Sequence, residues 1–166
     1  MYYYMPYKYV EKEIYLGAGI YCFYPFDSGL VANKGVFKIG MTTSFERRTS
    51  SYHTYMPEGV YVVAMFTPRK NKRQDEYGEE GLSRYYRRIE KQIFKDIIAR
   101  GGEMVTMNIR TNGGKTEWVF ADFNILEDAF DKAKEEFGGK LEMGNLDHLP
   151  VPDASTPYFE GCIKFY

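Results

Sequence analysis

The apolar positions divide the chain into short extended runs and two long helical ones. Residues 19–25, GIYCFYP, are aromatic and β-branched and stop at a proline, which predicts a strand. FDSGLVANKG reads as a turn region, and VFKIG, residues 36–40, predicts a second strand. The connection between them is too short for a helical crossover, so the pair is expected to be antiparallel. Thr43 or Ser44 then caps a helix reaching about Tyr55, because Phe45, Tyr52 and Tyr55 recur at helical spacing. GVYVVAMF, residues 59–66, is the strongest strand signal in the chain. The charged, glycine-containing stretch TPRKNKRQDEYGEEG reads as an exposed loop.

A long helix is predicted from about Glu80 to Ala99, closed by Gly101 and Gly102. Residues 103–109 and EWVF predict two short strands around a TNGG turn. NILEDAFDKAKEEFGG predicts a second helix, with Asn124 as cap, Glu127 three residues on and Gly138 at its end. After Lys140 the pattern stops, and the tail PVPDASTPYFEGCIKFY reads as an extended arm. Short strands and helices thus follow one another along the chain. Its expected organisation is an aromatic N-terminal arm over residues 1–16, a domain over 17–138 and a C-terminal arm over 139–166.

The long helix contains an anomaly. Its apolar stripe runs Leu82, Tyr86, Ile89, Ile93, Ile97, and Glu90 lies one turn from both Tyr86 and Phe94, within or against that stripe. A carboxylate on a half-buried face is costly unless a cation or hydrogen-bond donors meet it. Two accounts are open: a stripe-edge side chain that reaches water or pairs with Arg87 or Lys91, or a metal ligand.

Composition narrows the class. A chain of 166 residues with 44% hydrophobic residues supports one domain with a real core. Lys+Arg 22 against Asp+Glu 23 gives a net charge of -1, which argues against holding nucleic acid through bulk charge. The charge is nevertheless uneven. Between Arg69 and Arg100 ten basic residues meet six acidic ones, and between Glu117 and Asp147 nine acidic residues meet three basic ones. The basic middle is compatible with a local phosphate-binding face, or with ordinary solvated helix faces. Cys22 and Cys162 belong to no CxxC or Cys/His pattern, which points to a reducing compartment. No membrane span or signal peptide is expected, so the chain reads as soluble and intracellular.

GIY at 19–21, KIG at 38–40, SFERRTSSY at 44–52 and IEKQIF at 89–94 together resemble the GIY-YIG nuclease family over roughly residues 17–120. Arg48 lies eight residues after Gly40 and is followed by TSSY, as in the family pattern, while EKQIF and TEWVF resemble a viral and phage subgroup. The resemblance implies an α+β fold, a small mixed or antiparallel sheet flanked by helices, and one-metal hydrolysis of a phosphodiester in nucleic acid. Tyr21 takes the place of the tyrosine that acts as general base or orients water, Arg48 that of the arginine facing the scissile phosphate, and Glu90 that of the carboxylate holding Mg²⁺ or Mn²⁺. Those residue types suit the chemistry. A guanidinium fork meets a phosphate whose charge grows in the transition state, and a hard cation prefers carboxylate oxygen. A tyrosine, with a pKa near ~10, is a poor base unless a cation stabilises its phenolate.

Lys38 departs from the family, since it fills the tyrosine slot of the second motif. Either it lowers the pKa of Tyr21 from the neighbouring strand, or it marks a site no longer under catalytic constraint. The second alternative makes the chain a structural or assembly subunit, for example of a large virus particle, with protein partners held through its two arms. The arms contain Tyr2, Tyr3, Tyr4, Tyr7, Tyr9, Tyr158, Phe159, Phe165 and Tyr166, and residues 1–16 and 141–166 are expected to make their contacts away from the main sheet.

Overall fold

The computed structural model describes residues 17–25, 34–45, 47–48, 60–70, 72–105 and 118–144. Its elements are β1 (Gly19–Pro25), β2 (Lys34–Thr42), β3 (Val60–Thr67), α1 (Lys72–Ala99), β4 (Glu103–Val105), β5 (Trp118–Asp122), α2 (Phe123–Phe137) and β6 (Lys140–Met143). Among the described residues the fold is α+β: a six-stranded sheet in the order β4-β5-β2-β1-β3-β6, with two long helices. Every pairing is antiparallel, so the mixed alternative falls away.

β1 is central. It pairs with β2 through Tyr21↔Gly40 and Phe23↔Lys38, and with β3 through Tyr21↔Met65 and Cys22↔Ala64, with a register shift between Cys22 and Phe23. Strand alternation sends Ile20, Cys22 and Tyr24 to one side and Tyr21 and Phe23 to the other. The first set joins a continuous core with Phe37 and Ile39 of β2, Tyr86, Ile89, Ile93 and Ile97 of α1, and Leu126, Phe130 and Ala133 of α2. Both helices therefore lie on that side of the sheet. Burial pushes the Cys22 thiol pKa up, which makes it an inert core residue. The Tyr86 hydroxyl is also buried and lacks a hydrogen-bond partner among the described residues. Burial, and then the neighbouring Tyr85, push its phenol up to about 12.

Asp96 clamps the helices together. Its Oδ2 accepts from Arg100 Nε at 2.8 Å and its Oδ1 from Lys132 Nζ of α2 at 3.1 Å. Burial works to raise this carboxyl, but the hydrogen bonds from Arg100 and Lys132 outweigh it and hold the group below its ordinary pKa. Tyr85 adds a second tie: its hydroxyl donates to the Arg69 carbonyl, and its ring meets Phe137 edge-on at 6.3 Å.

Four boundaries differ from the sequence expectation. α1 begins at Lys72 instead of Glu80, so most of the charged stretch read as a loop is helical. Lys, Arg, Gln and Glu are good helix formers, and once the downstream stripe is anchored the helix extends through Gly78 and Gly81 at modest cost. α2 is capped by Asp122, not Asn124: the Asp122 carboxylate accepts from the Asn124 backbone N–H at 2.8 Å. The first of the two short strands after α1 ends at Val105 in the described residues, and the TNGG turn lies outside them.

The fourth difference is β6, which pairs with β3 through Phe66↔Leu141 and Ala64↔Met143. Residues 141–143 thus belong to the main sheet and not to an arm directed elsewhere. Leu141 and Met143 pack against the core, which gives a four-residue strand enough apolar contact to hold its edge position. Gly139 enables the approach. It has φ +99°, and a side chain there would strike the Thr67 carbonyl. Residues 1–16, the continuation to Tyr55 of the helix expected from Thr43 or Ser44, and the tail after Gly144 lie outside the described residues.

Candidate active site

The side of β1 turned away from the helices carries the motif residues. Tyr21 and Phe23 stack with ring centroids 4.4 Å apart. Tyr21 faces Gly40 across the strand pair, and its ring lies over that glycine so closely that a Cβ there would collide with the ring and hydroxyl. Gly40 of KIG is therefore a steric requirement of Tyr21 of GIY. The motifs are two halves of one packing arrangement.

Lys38 stands two residues before Gly40 and faces the same side. It pairs with Phe23 in β1 and with Trp118 in β5. Its Nζ lies 5.9 Å from the centroid of the Trp118 ring, a cation–π distance. Trp118 was legible from the sequence only as part of a strand, since its place beneath Lys38 depends on the β2–β5 register.

Arg48 reaches the same side by a different route. β2 ends at Thr42, whose hydroxyl donates to the Ser44 carbonyl at 2.9 Å and accepts from the Ser44 N–H at 3.0 Å. This fixes the corner. Ser44 then caps the helical turn that opens at Phe45: its Oγ accepts from the Arg47 N–H at 3.2 Å, and its carbonyl accepts from the Arg48 N–H at 3.0 Å. Of the two caps expected from sequence, Ser44 is the one used. Phe45 is fully buried, and its N–H donates to the Gly17 carbonyl, which anchors the turn against the start of β1. On this frame the exposed Arg48 places its guanidinium carbon 5.9 Å from the centroid of the Tyr21 ring.

The fold thus brings Tyr21, Lys38 and Arg48 together. No protein family, curated protein or solved structure matches this chain. Assignment of the site consequently depends on the motifs and on this geometry.

Glu90 lies elsewhere in the layering. It is half-buried on α1, at the flank of the stripe formed by Tyr86, Ile89, Ile93 and Ile97. That stripe packs on Ile20, Cys22 and Tyr24, the alternate residues of β1 to Tyr21. Sequence spacing located Glu90 correctly at the edge of an apolar face. Which side of the sheet that face covers follows from topology, which spacing does not encode. As a donor, a single carboxylate suits Mg²⁺ or Mn²⁺, which draw their remaining ligands from water and phosphate. Among the described residues no three His, Cys, Asp or Glu side chains gather as a larger ligand set.

Tyr21 is 1% exposed and Trp118 5%, so the aromatic layer is sealed while Arg48 is exposed and Lys38 half-exposed. Chemically, the arrangement offers two cations above an aromatic bed, with one phenol packed against backbone.

Proposed function

We propose that this chain is a GIY-YIG-like domain that binds a nucleic-acid phosphodiester and hydrolyses it with a divalent cation. The observation that carries the reading is the placement of Arg48 over Tyr21, with Lys38 alongside, on two strands whose GIY and KIG motifs pack against each other. Arg48 would hold the scissile phosphate and meet the charge that grows on it in the transition state. Lys38 would neutralise a second phosphate oxygen or an adjacent phosphate. The Tyr21 hydroxyl, fixed against Gly40, would orient the attacking water. Glu90 is the carboxylate suited by type to hold Mg²⁺ or Mn²⁺, which would supply Lewis-acid chemistry, but its helix packs on the other side of β1 from Arg48 and does not place it beside a phosphate held there. Because Glu90 and Tyr21 stand on different sides of β1, the roles given to Tyr21, Lys38 and Arg48 do not depend on it.

The test is cleavage of plasmid DNA, single-stranded DNA and RNA by the full chain in Mg²⁺, in Mn²⁺ and in excess chelator. Cleavage is expected only with metal. Arg48→Ala should reduce the rate by about 10²–10³-fold with little change in binding, as for loss of one transition-state donor. Loss of cleavage in Glu90→Ala would give the metal to that carboxylate, and retained metal-dependent cleavage would give it to other ligands. Undiminished cleavage in chelator would overturn the metal-dependent mechanism.

A second reading has an observation of its own. A phenol that is 1% exposed is poorly placed to meet water or substrate, which favours a catalytically silent version of the fold serving as a structural or assembly protein, for instance in a virus particle. Absence of cleavage on every substrate in both metals, with the folded state intact, would select this reading. Among the described residues no helix is long and apolar enough to cross a membrane.

A further inference from the structure

The outer surface of α1 has a composition that neither reading uses. Between Gly81 and Ile97 the exposed residues are Arg84, Arg87, Arg88, Lys91 and Lys95, and every one is a cation. Their spacing is not scattered. Arg84, Arg88, Lys91 and Lys95 recur at steps of four, three and four, which is one line along an α-helix. With a rise of about 1.5 Å per residue the line is about 16 Å long. It points opposite to the stripe that packs in the core.

These charges are weakly compensated. Arg84 pairs with Glu80 at 2.8 Å, but both side chains are about four-fifths exposed, so the pair is readily exchanged for another anion. Arg87, Arg88, Lys91 and Lys95 make no ion pair among the described residues. The acidic groups of the second half of the helix lie on its flanks: Asp96 is engaged with Arg100 and Lys132, and Glu90 borders the core. α2 contrasts with this. Its exposed residues mix Asp128, Asp131, Glu135 and Glu136 with Lys132 and Lys134.

We infer that the outer face of α1 is a binding surface for a nucleic-acid backbone, separate from the Tyr21 face and independent of whether that face is catalytic. A straight row of one sign fits a polymer that carries like charge at regular intervals, as a polynucleotide does. A row of cations answers to backbone charge, so binding is expected to be insensitive to sequence. An anionic membrane fits less well. Helices that lie in a bilayer surface insert an apolar face beside their cations, and the apolar face of α1 is committed to the core. The net charge of -1 does not oppose the inference, because a local row of cations sets the potential that a nearby strand meets.

The experiment is fluorescence anisotropy of a labelled DNA duplex with the full chain across a salt series. It compares wild type with the triple substitution Arg88→Gln, Lys91→Gln, Lys95→Gln, and with the charge-preserving Arg88→Lys, Lys91→Arg, Lys95→Arg. All three positions are exposed, and circular dichroism checks that each variant stays folded. The Gln variant is expected to bind at least about 10-fold more weakly, and its slope of log affinity against log salt should fall by about 2.7, at about 0.9 per lost phosphate contact. The charge-preserving variant should bind like wild type. Wild-type affinity and slope in the Gln variant would overturn the inference, as would binding of phosphatidylserine vesicles without binding of the duplex. Cleavage that persists in a Gln variant of unchanged affinity would reject this surface while leaving the proposed activity standing.

Discussion

The two sides of the sheet are built differently although they share every strand. On the helix side, Ile20, Cys22, Tyr24, Phe37 and Ile39 meet two amphipathic helices, and the result is a continuous core. On the other side, Tyr21, Phe23, Met65 and Trp118 are buried just as completely, but cations lie over two of the rings. Adjacent residues of β1 therefore answer to different demands. The helix side is set by volume and apolar area. The other side brings a lysine and an arginine up to aromatic rings. The pairing of Tyr21 with Gly40 shows how tightly that layer is fitted.

Three substitutions test this contrast. The largest effect is expected for Phe130→Ala in α2, which removes a fully buried ring from the helix-side core and should cost about 3–5 kcal/mol in urea unfolding. A loss below about 1 kcal/mol would mean that the helices do not form one core with the sheet.

Gly40→Ala probes the other side. Overpacking of this kind should cost about 1–3 kcal/mol. The diagnostic is a double-mutant cycle, because the penalty should largely vanish in a Tyr21→Ala background, where the obstructing ring is gone. An equal penalty in both backgrounds would show that Gly40 is needed for some other reason.

The smallest effect, of opposite sign, is expected at Tyr86. Tyr86→Phe deletes a buried hydroxyl that has no partner among the described residues, so stability should stay level or rise by up to about 1 kcal/mol. A clear loss would reveal a partner for that hydroxyl.

Much of this architecture could be read in the sequence, and for identifiable reasons. β1, β2 and β3 are aromatic and β-branched runs with clear punctuation, and the short β1–β2 connection dictated their antiparallel pairing. The spacing of Tyr21, Lys38 and Arg48 was likewise local enough to read, since alternation and one helix cap place all three. What escaped was decided at longer range. β6 is four residues long, too short for a periodic signal, and exists because Leu141 and Met143 find the free edge of β3. The start of α1 escaped because charged residues without an apolar stripe resemble a loop until a downstream anchor is known. Glu90 was placed at the rim of its stripe, but the side of the sheet that α1 covers is a property of topology. The row from Arg84 to Lys95 was present in the spacing, yet its meaning required knowing that all the other residues between Gly81 and Ile97 are at least partly covered.

The strand order also bears on how the chain comes together in time. β2, β1 and β3 arise within the first part of the sequence and can pair early. The outer edge of β2 is then closed by β5, and the outer edge of β3 by β6. Both closing strands lie beyond α1, so during synthesis the three-stranded nucleus emerges with two bare edges. Contacts of such long sequence separation form slowly, and unpaired edges invite pairing with other chains. A chain stopped at the end of α1 would hold the Tyr21 and Gly40 pair and still lack both of its edge guards, making ribosomal pausing in that region a point of aggregation risk.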